Sequence, residues 1–108
     1  MKKTKILIPV FNDWKSLFTL LVSIDANLYG WDADVSVIIV NDASTDKRPD
    51  FNYSFENIKL IKIINMKKNT GHARCNAAGL KYISENEEFD FVIPMDGDGE
   101  DRPEEIGA

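Results

Sequence analysis

Val35-Ser36-Val37-Ile38-Ile39-Val40-Asn41-Asp42-Ala43-Ser44-Thr45-Asp46 is the stretch on which the fold turns. Val35 to Val40 is nearly continuous in apolar residues rather than alternating, the pattern of a parallel strand covered on both faces. The chain then becomes polar at once, as a loop leaving a strand does. Working outward, Ile6-Leu7-Ile8-Pro9-Val10 and Phe89 to Met95 repeat the pattern. Each also opens into a polar cluster: Phe11-Asn12-Asp13 after the first, Asp96-Gly97-Asp98-Gly99-Glu100-Asp101 after the last. A further run, Ile58 to Ile64, carries Lys59 and Lys62 and predicts a strand nearer a sheet edge.

Helical periodicity fills two of the gaps. From Asp13 to Leu28, Leu17, Leu20, Leu21, Ile24 and Leu28 recur at steps of three and four, giving one apolar stripe. Asn12 is the expected N-cap, with Asp13 favourable in the first turn. From His72 to Ser84, Ala73, Ala77, Leu80 and Ile83 are the expected buried face. Ala77, Ala78 and Gly79 are small enough to let this helix lie close to a sheet. Asn41 to Asn57 has no period and reads as loop. Strand, helix, strand, loop, strand, helix, strand predicts an α/β layer fold with a Rossmann-like parallel sheet.

A length of 108 residues suits one compact domain. Apolar content of 44% and charged content of 29% are those of a globular protein. The net charge of −5 excludes a surface that coats nucleic acid, so no nucleic-acid partner is expected. The single cysteine, Cys75, cannot close an internal disulfide, which points to a reducing, cytoplasmic setting. No apolar run approaches the length of a membrane span. The basic start, Met1-Lys2-Lys3-Thr4-Lys5, is followed by an apolar stretch too short and broken for a signal peptide.

In open parallel sheets, ligands bind outside the carboxyl ends of the strands. Here the Asn, Asp and Ser residues collect at those ends. If the fourth strand runs on, Asp96 and Asp98 point the same way, roughly 7 Å apart. Paired carboxylates suit a hard cation such as Mg²⁺ or Mn²⁺, which completes its shell with water and substrate phosphates. Gly97 and Gly99 let a diphosphate approach the backbone. A calcium-binding EF-hand fails, because Asp101 stands at the loop's sixth position and Gly107 at its twelfth. The phosphate-loop and dinucleotide fingerprints are absent.

In order and spacing, these pieces resemble the family 2 glycosyltransferases, which have the GT-A fold. Ile6-Leu7-Ile8-Pro9-Val10-Phe11-Asn12-Asp13 is similar to that family's opening I-P-x-Y/F-N-E/D. Val40-Asn41-Asp42-Ala43-Ser44-Thr45-Asp46 is similar to V-D-D-G-S-T-D. Asn69-Thr70-Gly71-His72 with Ala78-Gly79-Leu80 resembles N-x-G-x-x-x-A-x-x-A-G-L, and Met95-Asp96-Gly97-Asp98 resembles the D-x-D element. Glu100-Asp101-Arg102-Pro103-Glu104 is similar to the Q-D-P-P-E of polyprenyl-phosphate sugar transferases. Some positions depart: Asn41 replaces the first Asp, Ala43 replaces the turn Gly, and Arg74 and Asn76 are out of register with the family's Arg-Asn pair.

The resemblance implies strand order 3-2-1-4, with residues 1–108 forming the nucleotide-diphospho-sugar-binding part of a truncated GT-A domain. It implies transfer of a sugar from a nucleoside diphosphate donor to an acceptor such as polyprenyl phosphate, a glycan or a lipid. It makes Pro9, Phe11 and Asn12 the lining of the base and ribose pocket. Asp42 would hydrogen-bond the base or ribose, and Asp96 would sit at the ribose and diphosphate. Asp98, with Asp101, would hold Mn²⁺ or Mg²⁺. The general base and closing loop belong to the family's acceptor half and have no counterpart here, so the expectation is a fragment that binds donor without transferring sugar. The full-length protein would act in cell-envelope chemistry, at the cytoplasmic face of a membrane. Phe89 to Met95 would leave an edge open to self-association.

Two other readings are weighed. A sugar nucleotidyltransferase shares the sheet and acidic site, but normally shows a Gly-rich basic loop where Pro9-Val10-Phe11-Asn12 stands. A receiver-like signalling domain would use Asp42 as phosphate acceptor, with an acidic pair and a Lys at other strand ends that do not occur. His72, the only histidine, reads as structural, and Trp14 and Trp31 as packing or surface residues.

Overall fold

A computed structural model describes residues 2–45 and 54–95. The elements are β1 (Lys2–Val10), α1 (Trp14–Asn27), β2 (Ala33–Asn41), β3 (Ile58–Asn65), α2 (His72–Asn86) and β4 (Phe91–Pro94). The strands form one sheet in the order β3-β2-β1-β4, and every pairing is parallel. The α/β class and strand order are those expected.

Apolar runs lie where both faces are covered. Ile6, Ile8, Val10, Val35, Val37 and Ile39 pack with α1 through Leu17, Leu20, Leu21, Ile24 and Leu28. Leu7, Ile38 and Val40 project to the other face, under Cys75 and Ile83 of α2. This alternation with no polar face is what a central parallel strand requires. β3, with its two lysines, lies at one edge as its composition predicted. β1 starts earlier than its apolar run because Lys2 and Lys3 pair with Ala33 and Asp34. β4 is shorter than its run, starting at Phe91. Its entry is pinned by Lys3, whose backbone N–H meets the Asp90 carboxylate at 2.7 Å and whose carbonyl accepts the Asp90 N–H at 2.7 Å.

Two local expectations are corrected. Asp13, not Asn12, is the N-cap of α1, and it makes no side-chain cap bond. Asn12 instead adopts φ 57° and turns toward the β2 loop. The buried face of α2 is Cys75, Gly79 and Ile83, while Ala73, Ala77 and Leu80 face outward. Gly79 sets this phase. A Cβ there would lie 2.3 Å from Leu7 Cδ1, so the bare backbone of α2 seats directly on β1. No described helix is long and apolar enough to cross a membrane.

Asp25 is a polar residue that the periodicity passes over. It sits on the apolar stripe of α1, four residues after Leu21, and is buried. Its carboxylate accepts the backbone N–H groups of Glu56 (3.1 Å), Asn57 (2.7 Å) and Ile58 (2.9 Å), and its carbonyl takes the Asn57 amide at 2.7 Å. One carboxylate thus satisfies the donors at the entry to β3.

Candidate functional site

Three strands deliver their carboxyl ends side by side, and short polar contacts tie the loops there into one surface. The Asn12 backbone N–H donates to Ser44 Oγ at 2.9 Å, and its side-chain amide donates to Thr45 Oγ1 at 2.9 Å. Asn41 Oδ1 accepts the Ser44 N–H at 3.0 Å, and Asn41 Nδ2 donates to Asn65 Oδ1 at 2.9 Å. The β1 and β2 loops are therefore held by side chains, not only by the ladder. Pro9 costs the sheet no bond. The Leu7 carbonyl reaches the Met95 N–H at 2.9 Å, so position 9, two residues on, faces the side where β4 has already ended.

Asp42 is the hub. Its side chain projects to the α2 face of the sheet and is 1% exposed. One carboxylate oxygen accepts the Thr70 N–H at 2.7 Å and the Thr70 hydroxyl at 3.3 Å, and the other accepts the Gly71 N–H at 2.9 Å. Its N–H donates to the Val10 carbonyl at 2.8 Å, and its carbonyl takes the Asn69 amide at 3.4 Å. Burial raises the Asp42 pKa, but the N–H groups of Thr70 and Gly71, the Cys75 thiol and the Thr70 hydroxyl together outweigh it, and the net shift is downward. Burial, then the hydrogen bond and charge of Asp42, push the Cys75 thiol up to about 11. Cys75 is consequently a buried donor to Asp42 and no nucleophile at neutral pH.

This arrangement holds the Thr70-Gly71 turn that leads into α2 with a carboxylate from the residue after β2, joining strand and helix across the sheet top. A carboxylate so enclosed is a poor phosphate acceptor, which removes the ground for a receiver-like reading. Next to Asp42, Ala43 holds φ 56°, where the family pattern has glycine.

Of the predicted site residues, Pro9, Phe11, Asn12 and Asp42 come together at this end of the sheet. Pro9 and Asp42 are buried, Asn12 is partly buried, and Phe11 is 40% exposed. Asp96, Asp98 and Asp101 lie outside the described residues, which end at Met95 on the carboxyl edge beside Leu7. Among the described residues no three His, Cys, Asp or Glu side chains group to hold a metal. Sequence reasoning missed the role of Thr70 and Gly71 toward Asp42. The Gly71 φ of 90° marks the turn, and the only signal in the sequence was the Thr-Gly pair before the helix.

The family model for glycosyl transferase family 2 matches residues 5–108. An uncharacterized glycosyltransferase of Synechocystis sp. is 32% identical over 102 residues, covering 94% of this chain and 31% of the relative. The minor teichoic acid biosynthesis protein GgaA of Bacillus subtilis is 29% identical over 96 residues, covering 84% of this chain and 21% of that protein. The crystal structure of S. aureus TarS residues 1–349 superposes with a TM-score of 0.60 at 23% identity, over 89% of this chain and 27% of that one, a likeness of fold. The chain thus spans about a third or less of the length of these proteins.

Proposed function

Since this chain belongs to glycosyl transferase family 2, we propose that it forms the donor-binding part of an enzyme that transfers a sugar from a nucleoside diphosphate to an acceptor. The single observation that carries the reading is the family match over residues 5–108, which runs through both the Asp42 hub and the Asp96-Gly97-Asp98 segment. Pro9, Phe11 and Asn12 line the base and ribose. Phe11 is the exposed aromatic at the sheet top, suited to lie against a base. Asp42 holds the floor by fixing the Thr70-Gly71 turn, and so shapes the pocket for the base or ribose.

Asp96, Asp98 and Asp101 are hard oxygen donors and fit Mn²⁺ or Mg²⁺. Asp98 and Asp101 would hold the ion, with Asp96 at the ribose and diphosphate. When bound, such an ion neutralises charge on a departing diphosphate. Donor phosphates would be placed by this chain at the edge beyond Met95, where β4 ends. The name of the Bacillus relative supports a cell-envelope acceptor for the whole enzyme. The lone Cys75 supports cytoplasmic chemistry on the inner side of a membrane. Phe89 and Phe91, each exposed beside the edge strand β4, support self-association of this chain.

Calorimetric titration of the chain with uridine, guanosine, cytidine and adenosine diphosphates, with and without Mn²⁺, tests the reading. One of them should bind, Mn²⁺ should tighten it, and Asp98→Asn should abolish that gain. Absence of binding by all four overturns donor recognition. Equal enhancement in the parent and Asp98→Asn overturns the metal assignment.

A further inference from the structure

One buried polar atom among the described residues has no partner: Asn76 Oδ1. An unsatisfied buried acceptor is costly, and native proteins keep few of them. Its place is informative. Asn76 follows Cys75, the thiol donor to Asp42. It lies three residues before Gly79 and seven before Ile83, both on the sheet-facing side of α2. At 100° per residue its side chain leaves the helix on that side, on the flank opposite Tyr82. Tyr82 looks to β3, where Lys62 Nζ reaches its hydroxyl at 3.4 Å. Asn76 accordingly lies on the flank of α2 turned away from β3, the side on which the sheet continues to β1 and β4.

We propose that Asn76 is a specificity-determining residue of the donor site, its side-chain oxygen accepting a hydrogen bond from a hydroxyl of the nucleotide sugar. The proposal rests on the donor-binding reading above. The chemistry selects the partner. A carbonyl oxygen can only accept, and phosphate oxygens at neutral pH carry no proton to give, so the atom turns away from diphosphate and toward the hydroxyl-bearing parts of the donor. Those are the ribose and the transferred sugar. Empty, the site carries the cost of a desolvated acceptor; filled, it gains a bond that a deoxygenated analogue cannot make.

The experiment uses the 108-residue chain with Mn²⁺. Asn76→Leu, close in shape and without the oxygen, is compared with the parent by thermal melting without ligand and by calorimetry. The ligands are a nucleoside diphosphate, its 2′-deoxy and 3′-deoxy forms, and the matching nucleotide sugar. Asn76→Leu should melt at the parent temperature or above, and bind about fivefold to tenfold more weakly. Loss of the parent's preference for one ribose hydroxyl assigns the ribose; loss confined to the nucleotide sugar assigns the sugar. Unchanged affinity in Asn76→Leu overturns the proposal. If Asn76→Leu loses both stability and affinity, Asn76→Asp decides, because it keeps an acceptor: restored hydroxyl preference supports the proposal, and its absence overturns it. A parent that binds no nucleotide overturns the donor reading and this inference together, whereas a parent that binds beside an indifferent position 76 overturns only the inference.

Discussion

Asp42 shows how much one side chain decides at this site. Its carboxylate is held ionised by two backbone N–H groups and two side-chain donors against the opposing effect of burial. Because its folded pKa lies below the ordinary aspartate value, the stability it contributes is full above that ordinary value. That stability is lost as pH falls through the lowered folded pKa. Asp42→Asn presents an amide N–H₂ to N–H donors and should cost about 2–4 kcal/mol at pH 7. Urea denaturation of both proteins from pH 7 to pH 2.5 should show the gap narrowing only on the acid side of about pH 4; a constant gap would show that the charge contributes nothing. Beside it, Ala43 holds a left-handed backbone at φ 56°, which an L side chain resists. Ala43→Gly should raise stability by about 0.5–1 kcal/mol, less whatever the unfolded chain gains from the extra freedom. A lower denaturation midpoint would show that the Ala43 methyl makes contacts worth more than the strain.

At the level of elements, α2 is held by what Gly79 lacks. Its close approach to β1 contrasts with α1, which stands off behind large side chains. Gly79→Ala gains helix propensity of about 1 kcal/mol. It also drives a methyl into Leu7, which is fully buried, and against Val40 Cγ2 at 3.1 Å. Overpacking of about 1–3 kcal/mol should outweigh the gain. In a double-mutant cycle Leu7→Val should recover part of the loss, since it shortens the side chain that collides. Strict additivity would place the strain elsewhere. The C-terminal end of α2 is tied separately, by Glu87 between Lys62 at 3.1 Å and Lys5 at 3.8 Å.

Taken as a whole, the chain sets one well-covered sheet centre between unequal edges. β3 carries Lys59 and Lys62, charges that discourage further pairing. β4 has neither such lysines nor a described neighbour beyond β1, and Phe91 is 54% exposed. Sedimentation velocity over a concentration series should show reversible association, reduced by Phe91→Lys. A single monomeric species at high concentration would refute it.

By itself, the sequence determined the α/β class, the four strands, both helices and the end of the sheet where polar residues gather. Apolar runs and helical periodicity are local signals, and burial on both faces of β1 and β2 is what such runs demand. The order 3-2-1-4 came from motif resemblance, and parallel pairing agrees with it. What only the tertiary structure decided are contacts between residues far apart in the chain. Asn12 left its expected capping role because Ser44 and Thr45, on another loop, offered its backbone and amide better partners. The buried face of α2 differed because Ala and Leu look alike to a periodicity count, whereas seating on Leu7 depends on a missing Cβ. Asp25 and Asp42 each enclose N–H groups some thirty residues away, and no local pattern encodes a partner across the sheet.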